Sequence, residues 1–198
     1  MASILTKLAQ QKTDLQLETM SKEAYRWLMK NANGLRNPSS MSKGIAREKS
    51  RQITKFVTGG LYYFYYDPKT KETLDYYDVF PMVIPLKKES DGFIGMNLHY
   101  LPLNYRLNFL DQLMSYASYN DADEPMRLRI TYNILSASKR FKAMQPCIKK
   151  YLYHHIESKI VAVQPNEWDV AAFLPVHQFK KATAKKVWTE SVEQIRNQ

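Results

Sequence analysis

Leu61-Tyr62-Tyr63-Phe64-Tyr65-Tyr66 is an unbroken aromatic run, entered through Gly59-Gly60 and left through Asp67-Pro68-Lys69-Thr70-Lys71. Rings at this density favour a pleated strand, and the flanking residues are turn formers. Side chains alternate across a strand, so Tyr62, Phe64 and Tyr66 face one way and Tyr63 and Tyr65 the other. One set has to enter a core. The other set, and Tyr76-Tyr77 further on, can form either a base-stacking platform or an interface with a neighbouring subunit, where Tyr is enriched.

More strand signals follow within a short distance. Leu74–Tyr77 and Val79–Leu86 resume the apolar pattern, and Ser90-Asp91-Gly92 turns the chain into Phe93–Leu98. Pro81 and Pro85 bracket Met82-Val83-Ile84, and proline is tolerated only at strand starts, edges or bulges. From Pro102, a residue suited to a first helical turn, the period becomes helical through Tyr105, Leu107, Leu110 and Leu113. Residues 126–142 and 145–158 also read as helices. Residues 159–163 and 168–174 read as strands around the Pro165-Asn166 turn, and the tail from Thr183 reads as a short exposed helix. The sum is an α+β fold: a small curved, barrel-like sheet with strands in 56–100 and 159–175, and helices inserted over 102–158.

The N-terminal part has a different character. Residues 3–32 have a narrow apolar stripe at helical spacing, suited to lying on a partner surface. Asn33–Ser40 is a cluster of turn formers that stops a helix, and residues 41–55 are basic and poor in large apolar side chains. The chain therefore divides into a basic helix and arm, 1–55, ahead of a single domain, 56–198; 198 residues suit one domain with an arm. A single cysteine, Cys147, precludes an internal disulfide and fits a reducing compartment. No apolar window reaches the length of a signal peptide or a membrane span, so the expected protein is soluble and intracellular in origin.

Catalytic patterns are weak. His99, His154, His155 and His177 lack metal-ligand spacing, and the adjacent pair would diverge on a helix. His99 is expected to bond a backbone carbonyl. Asp67, Asp75, Asp78, Asp91 and Asp111 include three beside turns or strand ends, where Asp bonds backbone, so a magnesium-gripping cluster is the weaker reading. No phosphate-cradling glycine loop and no Gly-x-Ser-x-Gly elbow occurs. The expectation is a non-enzyme without cofactor or metal.

Charge distribution points to binding. Residues 1–55 hold eleven Lys/Arg against four Asp/Glu, a net +7, and residues 139–159 hold six against one, a net +5. The stretch between them is net −3. Lys43, Arg47, Lys49, Arg51 and Lys55 can track a phosphate backbone by displacing counterions. Lys139, Arg140, Lys142, Lys149 and Lys150 form a second group, which helical spacing would place on or beside one face next to Tyr151 and Tyr153. An acidic protein surface would attract the same charges, so nucleic acid and protein both remain open.

Three stretches carry a family resemblance. They are Tyr65-Tyr66-Asp67-Pro68-Lys69 with Leu74-Asp75-Tyr76-Tyr77-Asp78-Val79-Phe80-Pro81, then Gly95-Met96-Asn97-Leu98-His99-Tyr100-Leu101-Pro102, and Glu167-Trp168-Asp169-Val170-Ala171-Ala172-Phe173-Leu174-Pro175. Together, over about residues 50–190, they resemble small virion proteins of T-even-type contractile-tailed bacteriophages, the DNA end protector and head-completion family. The resemblance implies a non-enzymatic virion protein, made in the host cytoplasm. It would bind double-stranded DNA ends without sequence preference near the portal and neck, shield them from host exonuclease and help the filled head accept a tail. Other virion proteins of the portal, neck or baseplate would be its partners, and no membrane is implied. A structural neck or baseplate subunit whose basic arm docks on acidic neighbours is the alternative.

Overall fold

The computed structural model describes residues 38–118 and 144–197, so the helices expected over 3–32 and 126–142 lie outside the described residues. Among the described residues a six-stranded antiparallel sheet is the scaffold. Its strands are β1 (Gln52–Ile53), β2 (Leu61–Tyr63), β4 (Met82–Lys88), β5 (Gly92–Asn97), β6 (Ile148–Leu152) and β7 (Ile160–Val163), in the spatial order β1-β7-β2-β4-β5-β6. A separate ribbon pairs β3 (Tyr77–Asp78) with β8 (Phe179–Lys180). The helices are α1 (Pro38–Ala46), α2 (Leu103–Ser118), α3 (Trp168–Phe173) and α4 (Ala184–Arg196).

Mixed helix and sheet is as expected, but the sheet is open. Among the described residues no pairing joins β1 to β6. Its curvature is nevertheless strong. Phe56, just after β1, and Tyr153, just after β6, bring their ring centroids to 6.2 Å although their strands are the two edges.

The aromatic run works as its alternation demands, with one difference. Tyr63 enters a large core against the helices, alongside Phe80, Met82, Ile84, Met96 and Leu98, with Tyr65 packed at its margin. Tyr62, Phe64 and Tyr66 enter a second, aromatic core on the opposite face, with Phe56, Phe93 and Tyr151. Both faces are therefore covered, and neither set is an exposed stacking platform. Within that second core the rings meet edge to face, as at Phe64–Tyr151 (5.4 Å, 88°), the arrangement their quadrupoles favour. Pro85 sits where the β4–β5 register shifts between Pro85 and Lys87, a bulge that spares a ladder hydrogen bond.

Three local expectations are overturned. Residues 41–55 are no exposed linker: α1 buries Met41 and Ile45 in the large core, and Gln52 and Ile53 pair with Val161 and Ile160. Pro38, read as part of a helix stop, is the first residue of α1, a position where its missing N–H costs nothing. Residues 145–158 are not helical. Ile148–Leu152 pairs residue by residue with Met96–Gly92, and a Cβ on Gly92 would collide with the Tyr151 carbonyl, so glycine permits that approach. Residues 168–174 are not a strand. Pro165 opens a 3-10 turn, and Gln164 and Glu167 exchange side-chain and backbone bonds in a capping box that leads into α3. Val170, Ala171 and Ala172 are all buried, and a fully apolar run has no period to separate helix from strand.

Other readings hold. The Pro102 carbonyl accepts the first helical bond of α2, from Arg106 N at 3.0 Å. Thr183 caps α4 through its hydroxyl, which accepts from Lys186 N; this tail helix is less exposed than expected, because Val187 and Ser191 are buried.

One buried cation ties these parts together. Arg106 of α2 is fully enclosed and donates to the carbonyl oxygens of Leu98 (3.0 Å), Leu101 (3.1 Å) and Ala172 (2.6 Å). Burial brings its pKa down to about 10, so it stays charged at neutral pH. Arg106→Met should lower unfolding stability by about 3–5 kcal/mol in urea titrations, because it leaves three buried carbonyls unpaired.

Candidate nucleic-acid interface

The N-terminal basic segment is sorted by the fold into different jobs. α1 turns Met41 and Ile45 inward, while Lys43 and Arg47 are exposed. Lys49, in the 3-10 turn that follows, and Lys55, just after β1, are also exposed. Among the described residues no ion pair engages Lys43, Arg47, Lys49 or Lys55. Arg51 points inward instead. Its guanidinium donates to both oxygens of the buried Glu167 carboxylate (2.5 and 2.7 Å) and meets Glu48 at 3.2 Å.

The second basic group is divided as well. Lys139, Arg140 and Lys142 lie outside the described residues. Lys149 and Lys150 sit on β6, an edge strand, not on the expected helix face. Lys150 pairs with Glu89 and Asp91, each at 3.0 Å, across the β4–β5 turn. The Lys149 ammonium lies 4.4 Å from the centre of the Tyr100 ring. Burial lowers its pKa, and no carboxylate among the described residues pairs with it.

β1 and β6 are opposite edges of the sheet, yet its curvature makes one shared hollow. About 240 Å³ of space is lined by Lys55, Phe56, Lys88, Tyr153 and Ile160. Lys88, 5.6 Å from the Phe56 ring centre, was missed in the sequence reading. Its signal was Lys87-Lys88 at the end of an apolar strand, where a strand passes out of the core.

The carboxylates and histidines do not converge on one centre. Asp67 pairs with Lys71 at 2.8 Å, and Asp91 pairs with Lys150. Asp78 is buried against His99, with Nδ1 2.6 Å from its carboxylate, and it also accepts from Phe80 N (3.1 Å) and Gln178 N (3.0 Å). The last two are the backbone bonds expected of Asp, whereas His99 bonds a carboxylate through its ring and not the expected carbonyl. Burial alone would raise the Asp78 pKa; the His99 contact and the bonds from Gln178 and Asn97 outweigh it and hold the carboxyl below its usual value. Among the described residues no group of three His, Cys, Asp or Glu side chains could hold a metal ion, and no helix is long and apolar enough to cross a membrane.

A family model described as the phage T4 terminal DNA protecting protein matches residues 5–191. The chain belongs to this family. Nothing among the curated proteins or the solved structures matches it. Membership agrees with the resemblance carried by the Tyr65–Pro81, Gly95–Pro102 and Glu167–Pro175 stretches. It makes the chain a bacteriophage DNA end protecting protein of the virion. A family that protects termini regardless of sequence needs cations on phosphates and no base-edge code, and the exposed side chains of 43–55 are of that kind.

Two outcomes follow from this sorting. Arg51→Ala strands the buried Glu167 carboxylate and should cost about 3 kcal/mol of stability in urea titrations, with no change in the salt dependence of DNA binding. Burial brings the His177 pKa from 6.5 down to about 4, with His99 and Arg106 adding to the effect. The folded protein thus binds fewer protons than the unfolded chain between those values. Stability is full above pH 6.5 and falls as pH drops toward about 4. Burial lowers His99 as well, with the same sign. Urea midpoints measured across this range should fall, and His177→Gln should flatten part of the slope.

Proposed function

We propose that the chain sits on the end of packaged duplex DNA near the portal and neck, held by sequence-independent phosphate contacts. Lys43, Arg47, Lys49 and Lys55 make these contacts, and Lys139, Arg140 and Lys142 extend them. Arg51 and Lys150 serve the fold through their carboxylate partners. One observation carries the reading: four exposed cations lie on a single segment, 43–55, without an ion-pair partner among the described residues, in a chain of the terminal DNA protecting family. Their positions are fixed by α1 and β1, so the cations are presented by a folded edge. The arm proper then precedes Pro38, and the body begins at α1 rather than at residue 56. Coverage of the terminus keeps exonuclease off it, and the same protein surface helps the filled head accept a tail.

Fluorescence anisotropy with linear and covalently closed duplexes of equal length, over a salt series, tests this. Linear DNA should bind more tightly, and log affinity should fall linearly with log salt. Replacing Lys43, Arg47, Lys49 and Lys55 together by Gln should reduce the magnitude of that slope by about 3–4, near 0.9 for each phosphate released. A flat salt response, or equal affinity for closed DNA, would favour a neck or baseplate subunit docking on acidic neighbours.

A further inference from the structure

A cleft of about 450 Å³ opens between the 66–77 loop and β6. Tyr66, Tyr100 and Tyr151 form its nearly buried floor, the half-buried Tyr76 and Tyr77 its wall, and Lys149 projects along one side. Lys69 and Lys150 stand at the mouth. This space holds one small ligand, and aromatic walls with a single convergent charge are the usual makeup of such a site.

The walls are held in place. Lys181, at φ 66°, aims its ammonium at the loop and donates to the carbonyls of Lys71 (2.7 Å), Glu72 (2.8 Å) and Leu74 (3.1 Å). The Tyr66 hydroxyl accepts from Leu152 N at 3.1 Å, and the Tyr76 ring packs on Tyr100 at 5.9 Å. Lys149 rests on the other neighbour of this pair, 4.4 Å from the Tyr100 ring centre. A partly desolvated ammonium with no carboxylate beside it is short of a counter-charge, and its lowered pKa reflects the same burial.

We propose that this cleft receives one unpaired terminal nucleotide of the bound DNA, its base against the tyrosine wall and its phosphate on Lys149. The inference rests on the DNA-end reading and gives it a specific contact. Flat rings beside one cation match a base joined to a phosphate, because every base offers a π face and stacking needs no sequence readout. Recognition of an end, as opposed to the middle of a duplex, then comes from the one nucleotide that can leave its partner at least cost.

The test titrates the free 5′-monophosphate of 2-aminopurine deoxyriboside into full-length protein and follows quenching of its fluorescence. The wild-type protein should quench it. Lys149→Met should weaken binding about tenfold, a loss in the range of one good stacking or charged contact, and Lys149→Arg should restore most of it. Tyr76→Leu should reduce the quench, and the nucleoside without phosphate should bind wild type about as weakly as the monophosphate binds Lys149→Met. Thermal melts matching wild type show that each variant is folded. Absence of wild-type quenching, equal affinity in wild type and Lys149→Met, or competition by inorganic phosphate as strong as by dAMP overturns the proposal; the last would mark a simple anion site. Linear against closed duplex binding is read in parallel. Lost end preference with intact nucleotide binding defeats only the DNA-end reading, and the reverse result defeats only the cleft.

Discussion

Arg106 is a full positive charge in the interior with no carboxylate against it, and much of the fold is arranged around satisfying it. Desolvating a guanidinium is costly unless its donors are filled, and here the acceptors are backbone carbonyls. Leu98 and Leu101 lie on the turn leaving β5, and Ala172 lies in the last turn of α3, where the carbonyl end of a helix is partly negative. A side chain on α2 thus joins the sheet exit to a helix 66 residues further on. The 97–101 turn fixed in this way also carries His99, which meets Asp78 of β3, and Tyr100, which underlies Lys149. The cleft and the buried polar cluster both depend on its position.

The sheet is unusual in being covered on both faces although it is antiparallel, a class that often leaves one face to water. The Leu61–Tyr66 run explains this. A strand with rings on both sides has no face suited to solvent, so helices cover one side and the curved chain closes over the other. Tyr66, bridged to Ile156, brings the segment after β6 across the second core. Curvature then does for the basic surface what strand order alone would not, because residues following both edge strands meet around Phe56 and Tyr153.

Legibility from the sequence followed the range of the interactions. The alternation of Tyr62–Tyr66, the bulge at Pro85, the start of α2 after Pro102 and the Thr183 cap are set by neighbours within a few residues, and all were readable. Ile148–Leu152 was not. Its apolar spacing fits a helix, and only pairing with Gly92–Met96, about 50 positions away in the chain, makes it a strand. The α3 segment had a readable start signal in Gln164-Pro165-Asn166-Glu167, but its uniformly apolar interior outweighed it. Arg51 looked like its neighbours Lys49 and Lys55, and its partner Glu167 is 116 residues distant.

By itself the sequence determined the chemistry available: a ring-dense strand that must be buried, a basic flank and middle segment, and family stretches that name a DNA end protector. The tertiary structure decided which charges are free to use it. Arg51 and Lys150 were neutralised by carboxylates, Lys149 was drawn over an aromatic ring in a cleft, and Lys43, Arg47, Lys49 and Lys55 were left facing solvent. The reason is physical. A cation's role depends on which groups lie within a few ångströms of it, and in a curved antiparallel sheet those groups come from far along the chain.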